Sequence, residues 1–435
     1  MNPKTQNNSN GLILTLSFLS LLAAINAVLF NVAFPNISQD LHISSAQVSW
    51  IAIGYSMVVA IGSIIYGKLA DTINIRKLFL IGISLFILGS ILGFIKHDSI
   101  GIIIAARMLQ ASGGSAFITL AMISVRLMID FEKRPVAFSF ISVGIALAIG
   151  LDPLIGGAII SLFSWPFLFL VMIISVVAAW LLLAFMPKEN KEIIHNNFDY
   201  LGAIMLFIFI ATLLLGVNLN YLFLFVAAFM LVVLYLWFKK AQYPFIEIQL
   251  LKNLVFVRAI TVGTIINIAL LGVLFLLPLL LANIYHLSSL EVGIIFFIAS
   301  IFSSLASLFV GRLLPIYGNI KIIYFGALLM ALSLLLLYFF TGTILIGIAT
   351  TFIFISYSTI QVALNSLVPL TLGDKVGLGL GVYNLANFIG MALGPALSSK
   401  ILDSTQNYGY AFLFIVILVV AIFPLLFKLP ISKKI

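Results

Sequence analysis

The chain has 435 residues, of which 63% are hydrophobic and only 8% charged, and its formal net charge is +9. A soluble protein of this length could not bury so much apolar surface, so the composition predicts a polytopic helical membrane protein. Cysteine is absent, which excludes disulfides, thiolate metal sites and cysteine nucleophiles.

Fourteen apolar segments are long enough to cross a membrane, since about 20 helical residues span roughly 30 Å of hydrocarbon. The first follows a polar N-terminus and lacks a small-x-small cleavage site, which favours a retained span over a signal peptide. The predicted spans lie near residues 12–33, 47–67, 78–96, 101–125, 136–161, 165–186, 200–217, 220–239, 258–281, 291–315, 321–340, 343–366, 377–401 and 409–428.

Lysine and arginine predict the orientation of these spans. With a cytoplasmic N-terminus, 19 of the 22 basic residues fall in cytoplasmic segments, while Lys96 and Lys400 fall outside and Arg107 lies within a span. This bias follows the positive-inside rule and predicts that both termini are cytoplasmic. It also explains the basic charge without a nucleic-acid partner, and anionic lipid headgroups explain the C-terminal lysines better than a specific ligand does.

Two longer polar segments, Pro187–Asp199 and Lys239–Arg258, divide the spans into groups of six, two and six. We therefore predict a six-helix bundle over residues 1–186, a linker with two inserted transmembrane helices over 187–257, and a second six-helix bundle over 258–435. A Gly-basic-Leu pattern recurs at Gly67 and Gly311, after the second span of each bundle, which is typical of duplicated transporters.

Of the thirteen acidic residues, only Asp152 lies well inside a predicted span. A carboxylate in hydrocarbon is expensive and therefore indicates a functional site. A proline and several glycines surround it, and they weaken the helix and let neighbouring helices approach closely. These are Gly150, Pro153, Gly156 and Gly157.

Arg107 is the only basic residue well inside a span. Helix rise places Arg107 about 9 Å, Asn26 about 10 Å and Asp152 about 13 Å from the outer surface, so a polar cluster of the three is predicted. In the functional interpretation, Asp152 alternates between a proton and a cationic substrate or Arg107. The alternative is a permanent Asp152–Arg107 pair that only holds helices together.

Other polar side chains within spans could line a substrate cavity or form interhelical hydrogen bonds, each worth under about 1–2 kcal/mol. These candidates are Asn267, Tyr357, Gln361, Asn365, Asn384 and Asn387. The sequence has no glycine-rich loop ending in Gly-Lys-Ser/Thr and no catalytic cluster, which argues against an ATPase or an intramembrane hydrolase.

Five segments in order resemble motifs of the major facilitator superfamily: Asn31–Pro35, Gly67–Lys77, Arg107–Gly114, Gly150–Gly157 and Phe198–Gly202. The resemblance covers nearly the whole chain. It is strongest to the fourteen-span branch of drug:proton antiporters, which includes tetracycline and quaternary-ammonium exporters of Gram-positive bacteria. It implies an all-α fold of two six-helix bundles plus a two-helix inserted hairpin.

The resemblance also implies a gate motif formed by Gly67, Asp71, Arg76 and Lys77. In that role Asp71 meets a helix end or a basic group of the other bundle when the inside is closed. The alternative is a solvated acid that contacts only its own loop.

Three positions depart from the family pattern. Asn26 stands where the first-span motif usually carries an aspartate, and Asp152 stands where the fifth-span motif usually carries glycine. The membrane acid has thus changed helix, as in a group of staphylococcal multidrug exporters that the chain resembles. In the second bundle, Pro315 replaces the aspartate of the loop motif, so an asymmetric gate is expected.

We therefore expect a proton-coupled exporter of lipophilic, cationic drugs in a bacterial plasma membrane, working without cofactor or metal. Its partners would be small-molecule drugs, protons and the lipid bilayer. Two alternatives stay open: export of one defined substrate, such as tetracycline or a lipid-like metabolite, and a non-transporting membrane enzyme or sensor. The sequence predicts no oligomeric state.

Overall fold

In a computed structural model, the chain is almost entirely α-helical, and residues 3–43, 45–187, 199–218, 220–242, 244, 246–287, 289–339, 342–372 and 376–426 are described. Within this part, 13 helices are long and apolar enough to cross a membrane, and a shorter apolar helix covers Leu201–Leu213. The expected helical membrane architecture is confirmed. The expected count of fourteen is not confirmed but is close, since a fourteenth apolar helix covers Tyr200–Asn218.

The first bundle contains eight helices, with 3₁₀ turns at Leu29–Ala33, Phe131–Lys133 and Met172–Ile174. Helix α1 packs against α5, α6 and α8, and α4 packs against α5. The helices are α1 (Pro3–Val28), α2 (Phe34–Asp40), α3 (Ser45–Leu69), α4 (Ile75–Ile95), α5 (Ile100–Met128), α6 (Arg134–Leu162), α7 (Phe167–Val171) and α8 (Ser175–Phe185).

A hairpin follows, formed by α9 (Tyr200–Asn218) and α10 (Leu222–Lys240), and the short α11 (Ile248–Lys252) leads into the second bundle. Most of the predicted linker before α9, residues 188–198, lies outside the described part. Helix α10 is peripheral, since only 11% of the residues in its most apolar stretch are buried, compared with 78% for α5. The domain boundaries at 186 and 257 stay predictions.

In the described residues, the second bundle contains seven helices. Helix α12 packs against α16, whereas α13 and α14 both pack against α15. They are α12 (Leu254–Asn283), α13 (Ser289–Tyr317), α14 (Asn319–Phe339), α15 (Thr343–Leu370), α16 (Val376–Thr405), α17 (Tyr408–Val420) and α18 (Ile422–Leu426).

Local signals in the sequence set several of these boundaries. Asn74 caps α4, its Oδ1 accepting from the Lys77 backbone N–H at 3.3 Å, and Asn253 caps α12 in the same way. Gly318 and Gly342 have φ values of +78° and +125°. Glycine adopts such angles without steric strain, which permits the abrupt connections α13–α14 and α14–α15.

The two bundles meet along two principal seams, α3 with α16 and α6 with α13, and α6 also contacts α15. We call the end of the molecule at which α3 gives way to α4 the Asp71 end, and the opposite end the Asp40 end. Helix α6 therefore belongs to the first bundle yet packs against α13 and α15 of the second. Residues on the face of α6 toward these helices are placed to respond when the bundles move relative to each other.

Candidate functional site

Asp152 lies on α6, two residues after Gly150, a glycine at which α6 packs closely against α13. Its side chain is only 6% exposed, and its Oδ1 is buried without a hydrogen-bond partner. Buried polar atoms are normally hydrogen-bonded, so an unpartnered carboxylate oxygen in a helix bundle marks a place for a proton or a cation. The backbone of Pro153 continues the same helix.

Arg107 is 1% exposed on α5 and is held by neutral oxygens. One terminal nitrogen donates to Asn26 Oδ1 at 2.7 Å and to Gln110 Oε1 at 2.8 Å, and the other donates to the Asn26 carbonyl oxygen at 2.8 Å. The guanidinium lies 4.2 Å from the ring centroids of both Phe30 and Tyr55. Two aromatic faces therefore supplement the hydrogen bonds by cation–π attraction.

The predicted cluster is thus only partly a contact cluster. Asn26 and Arg107 bind each other directly, whereas Asp152 interacts with Arg107 electrostatically without forming an ion pair within 4.0 Å. The terminal nitrogens of Arg107 bind Asn26 and Gln110 and its buried Nε has no described partner, so no hydrogen bond of Arg107 engages the Asp152 carboxylate. The sequence placed the three residues at similar depth but did not separate these two situations.

Sequence reasoning missed four members of the Arg107 environment: Phe30, Tyr55, Ser90 and Gln110. Tyr55 accepts a hydrogen bond from Asn26 Nδ2 at 3.3 Å, and Gln110 donates to Ser90 Oγ at 2.8 Å. Gln110 lies one helical turn after Arg107, so i,i+3 spacing was an available signal for it. Tyr55 and Ser90 come from other helices, and nothing local in the sequence points to them.

The glycines around Asp152 differ in what they contact. A Cβ added at Gly150 would collide with the Ser300 side chain and lie 3.1 Å from Phe297 Cα, so Gly150 permits the close approach of α6 to α13. A Cβ at Gly156 would lie 3.4 Å from Leu29 Cδ1, which is ordinary contact. A Cβ at Gly157 would meet nothing within 4 Å.

All six predicted cavity residues are buried, and four of them join a hydrogen-bonded chain in the second bundle. Tyr357 donates to Asn267 Oδ1 at 3.1 Å and accepts from Gln361 at 3.5 Å. Tyr383 donates to Gln361 Oε1 at 3.2 Å and lies 3.4 Å from Asn365 Oδ1. Tyr383 is the member that the sequence analysis did not include.

The remaining two cavity candidates behave differently. Asn384 Nδ2 donates to Thr119 Oγ1 at 2.9 Å, a bond from α16 to α5 of the other bundle. The Oδ1 atom of Asn387 is buried without a partner. Asn365 also reaches across, to Ser142 Oγ of α6 at 3.5 Å. Amides of the second bundle therefore contact the first bundle, and one keeps a free acceptor.

At the Asp71 end, α3 and α16 touch backbone to backbone. A Cβ at Gly67 would overlap the Gly377 carbonyl oxygen, and a Cβ at Gly377 would overlap that of Gly67 and lie 2.7 Å from Asp71 Oδ1. Asp71 of the first bundle thus lies beside the first turn of α16 in the second, where helix-dipole attraction favours a negative charge.

Of the two basic residues of the same motif, Arg76 binds within its own bundle. Arg76 donates to the carbonyl oxygens of Met186 at 3.1 Å and Leu183 at 3.0 Å, which bind it to the end of α8. For Lys77, the described contact is the backbone N–H that Asn74 caps. Arg76 therefore braces the sixth span against α4.

The described residues hold no group of three or more His, Asp or Glu side chains that could bind a metal ion. Among the residues that the structure describes, the buried polar side chains are one carboxylate, one guanidinium and a set of amides and hydroxyls. Such groups can bind protons, cations and hydrogen-bonding small molecules.

Known proteins that are similar to the chain over most of its length include membrane transporters. The chain is 28% identical to the uncharacterized MFS-type transporter YvkA of Bacillus subtilis, over 97% of the chain and 96% of that protein. It is 26% identical to the riboflavin transporter RibZ of Clostridioides difficile, covering 90% of the chain and 81% of RibZ. It is 25% identical to a multidrug resistance protein B homolog of Mycobacterium tuberculosis, covering 90% and 75% respectively.

The fold is also that of a solved structure, the human organic anion transporter MFSD10. That structure matches with a TM-score of 0.72 at 16% identity, covering 95% of this chain and 99% of MFSD10. The sequence profile of the Major Facilitator Superfamily matches residues 16–395 and, separately, 260–434. The chain therefore belongs to the Major Facilitator Superfamily of transporters, as a multi-pass membrane protein that handles small molecules.

Proposed function

We propose that the chain is a proton-coupled multidrug efflux antiporter of the fourteen-span branch, with both termini cytoplasmic, in a bacterial plasma membrane. It exports lipophilic, cationic drugs by alternating access. The observation that carries this proposal is Asp152, a buried carboxylate with an unpartnered oxygen on a helix that packs against both bundles. A proton and a cationic drug can compete for that one group.

Coupling requires that proton and drug bind differently in the two facing states. Asp152 lies two residues from Gly150, where α6 contacts Phe297 and Ser300 of α13. A rocking motion that displaces α6 against α13 also moves the carboxylate that α6 carries. Protonation from the Asp40 end and release toward the Asp71 end then drive one cycle of export.

Asp71 acts as the latch of the Asp71 end in this mechanism. Its carboxylate lies beside the first turn of α16, and Gly67 and Gly377 allow the two backbones to touch. The charge–dipole attraction is worth roughly 0.3–1 kcal/mol, enough to bias a two-state equilibrium without locking it. Arg76, which is hydrogen-bonded to the end of α8, holds the start of α4 in place next to the connection that carries Asp71.

The test is dye efflux from proteoliposomes that contain the purified protein, with the pH gradient and the voltage imposed separately. We expect a pH gradient alone to drive uptake of a lipophilic cationic dye, and Asp152→Asn to abolish that uptake while the variant still inserts. Lys133→Gln, a change in the exposed Lys133–Asp130 pair, is the matched control. Unchanged pH-driven transport by Asp152→Asn would remove Asp152 as the coupling group.

Export of one defined substrate is the second candidate. The uncharged chain of Asn267, Tyr357, Gln361 and Tyr383 suits a neutral, hydrogen-bonding molecule, and one relative is named a riboflavin transporter. Tetracycline and a lipid-like metabolite also belong to this class. A resistance panel separates the candidates: protection against many unrelated cationic dyes favours the multidrug function, and protection against a single compound favours the specialist.

A further inference from the structure

A cavity of about 610 Å³ lies at the Asp71 end, between the hairpin and the first bundle. Its walls come from the end of α3, the last two turns of α10, the segment that follows α10, and α11. That segment is tied to α3, since Lys68 Nζ donates to the Pro244 carbonyl oxygen at 3.0 Å. Ligand pockets in proteins have volumes of about 300–1,000 Å³, so this cavity is large enough to hold a polar headgroup.

The charged side chains that line the cavity are mostly basic. Among the described residues, Lys68, Lys239 and Lys252 line it, together with the carboxylate of Glu247. Lys68 is half-buried and is attracted by Glu247 and by other acidic groups nearby, so its charge is partly balanced within the protein. Lys239 and Lys252 are exposed and form no ion pair in the part of the chain that the structure describes. An anion that enters the cavity therefore meets two lysines that are available to bind it.

The cavity lies at the depth where the hydrocarbon of the bilayer gives way to headgroups. Helix α10 is apolar from Leu222 onward and ends at Lys239 and Lys240. A basic pair at the end of a membrane helix lies among lipid headgroups. Tyr235, which also lines the cavity, is 54% exposed one turn before Lys239, as is typical of aromatic residues at the membrane interface. A bilayer lipid can therefore reach the cavity without leaving the membrane.

The face of α10 that lines the cavity continues into the hydrocarbon as an apolar surface. Leu231 and Val232 lie four and three residues before Tyr235, and therefore on the same face of the helix. Their side chains are 55% and 57% exposed. An amphiphile whose charged end occupies the cavity can lay its apolar chains against this face, whereas a free inorganic anion makes no use of it.

We infer that this cavity is a binding site for an anionic phospholipid, with its phosphate between Lys239 and Lys252 and its acyl chains along α10. Lysine binds phosphate as a compact point charge, and basic pockets between membrane helices are typical sites for anionic headgroups. A zwitterionic lipid would bring a positive group into a cavity that already holds three lysines, which is unfavourable. The site goes beyond the proposed transport cycle and does not depend on which molecule is exported.

Lipid binding to the purified, delipidated full chain in detergent, followed by native mass spectrometry, tests the site directly. We expect phosphatidylglycerol to bind the unmodified chain more tightly than phosphatidylcholine does. Lys239→Gln/Lys252→Gln should weaken phosphatidylglycerol binding about 25-fold, since each lysine near an anionic lipid contributes about fivefold in affinity. Lys133→Gln/Lys321→Gln removes the same charge at the same end of the molecule but outside the cavity, and should change binding by less than about twofold.

Two results of this titration would overturn the site. Equal losses in the two double variants would show only a general attraction of anionic lipid to positive charge. Displacement of phosphatidylglycerol from the unmodified chain by inorganic phosphate at comparable concentration would assign the cavity to a free anion instead of a lipid.

A second measurement locates the lipid within a bilayer. Because cysteine is naturally absent, a bimane label at Gln249→Cys reports the cavity alone, and Glu132→Cys, an exposed position outside the cavity, is the matched control. Spin-labelled phosphatidylglycerol, as a minor component of phosphatidylcholine vesicles, should quench the label at position 249 more strongly than the label at position 132. Unlabelled phosphatidylglycerol should reverse that quenching. Equal quenching at both positions would contradict the site, and neither measurement depends on transport, so the antiport proposal is tested separately.

Discussion

Arg107 and Asn26 form a double contact, in which the guanidinium donates to the Asn26 side-chain oxygen at 2.7 Å and to its backbone oxygen at 2.8 Å. The positive charge thus meets a neutral amide at the position where the resembled first-span motif usually carries an aspartate. Asp152 is the nearby negative group, yet it makes no ion pair with Arg107. The arrangement separates the residue that organises the helices from the residue that is free to exchange ligands.

This separation predicts that substitution of Asp152 destabilises the protein much less than substitution of Arg107. Asp152→Asn removes no hydrogen bond at Oδ1 and no ion pair, so thermal unfolding in detergent should change by less than about 1 kcal/mol. Arg107→Ala strips Asn26 and Gln110 of their donor and empties the space between Phe30 and Tyr55, and should cost about 3–5 kcal/mol.

The difference in stability between Asp152→Asn and Arg107→Ala also decides between the two interpretations of the cluster of Asn26, Arg107 and Asp152. If Asp152 and Arg107 formed a permanent structural pair, both variants would be destabilised to a similar extent. Arg107→Lys is an informative intermediate, because an ammonium keeps the charge but not the planar stacking or the fork of donors. We expect Arg107→Lys to insert normally and to unfold at a temperature between those of the Asp152→Asn and Arg107→Ala variants.

Restoring the family's usual acid tests whether its position matters. Asn26→Asp places a carboxylate against Arg107 at the 2.7 Å contact, where it forms a charge-assisted pair. That acid is then neutralised by Arg107 and cannot exchange a proton easily. We expect the double variant Asn26→Asp/Asp152→Asn to insert but to lack pH-driven efflux, measured in the same proteoliposomes. Recovery of efflux would show that the cavity needs only one acid on either helix.

How much of this site the sequence could predict depends on what helix geometry conveys. Counting residues along a span gives depth, and it correctly brought Asn26 and Arg107 together. It does not give the direction in which a side chain points around the helix axis. Asp152 therefore looked equivalent to a direct partner of Arg107, while Tyr55, on a third helix, could not be anticipated at all.

Tight packing at Gly150 makes a prediction about motion. Gly150→Ala adds a methyl group that collides with Ser300, so it should destabilise the protein by about 1–3 kcal/mol and reduce efflux by preventing closure of the α6–α13 seam. Gly157→Ala is the control, since its methyl group enters open space. Unfolding temperature and dye efflux are measured for both.

A compensating substitution at Ser300 tests the predicted cost of Gly150→Ala further. The double variant Gly150→Ala/Ser300→Gly removes the side chain that the new methyl group meets, and should regain part of the lost stability and efflux. If Ser300→Gly fails to relieve Gly150→Ala, the cost at Gly150 arises elsewhere than at α13. Equal effects of Gly150→Ala and Gly157→Ala would also contradict the packing argument.

The cavity candidates show a second limit of sequence reasoning. Asparagine, glutamine and tyrosine within spans can face a cavity or each other, and the sequence pattern is the same for both. Four of the six candidates bond within one network, and Asn384 bonds to Thr119 of the other bundle. Only the three-dimensional partners distinguish them. Gln361 and Tyr357 are four residues apart, but the other partners come from positions more than 15 residues away along the chain, as Tyr383 does for Asn365.

The contact at the Asp71 end predicts a shift in conformational equilibrium. Gly377→Ala would overlap the Gly67 carbonyl oxygen and crowd Asp71, so α3 and α16 must part. Ser63, fully buried beside Gly381, should then become accessible, and Ser63→Cys should react faster with a water-soluble maleimide. Asp71→Asn removes the charge–dipole attraction, worth roughly 0.3–1 kcal/mol, together with the attraction of Asp71 to Lys68, but adds no steric clash, and should give a smaller increase. Gly347→Ala, whose methyl group meets nothing within 4 Å, should leave the rate unchanged. Because cysteine is naturally absent, the rate reports this position alone. A rate unaffected by Gly377→Ala would mean that this contact does not close the Asp71 end.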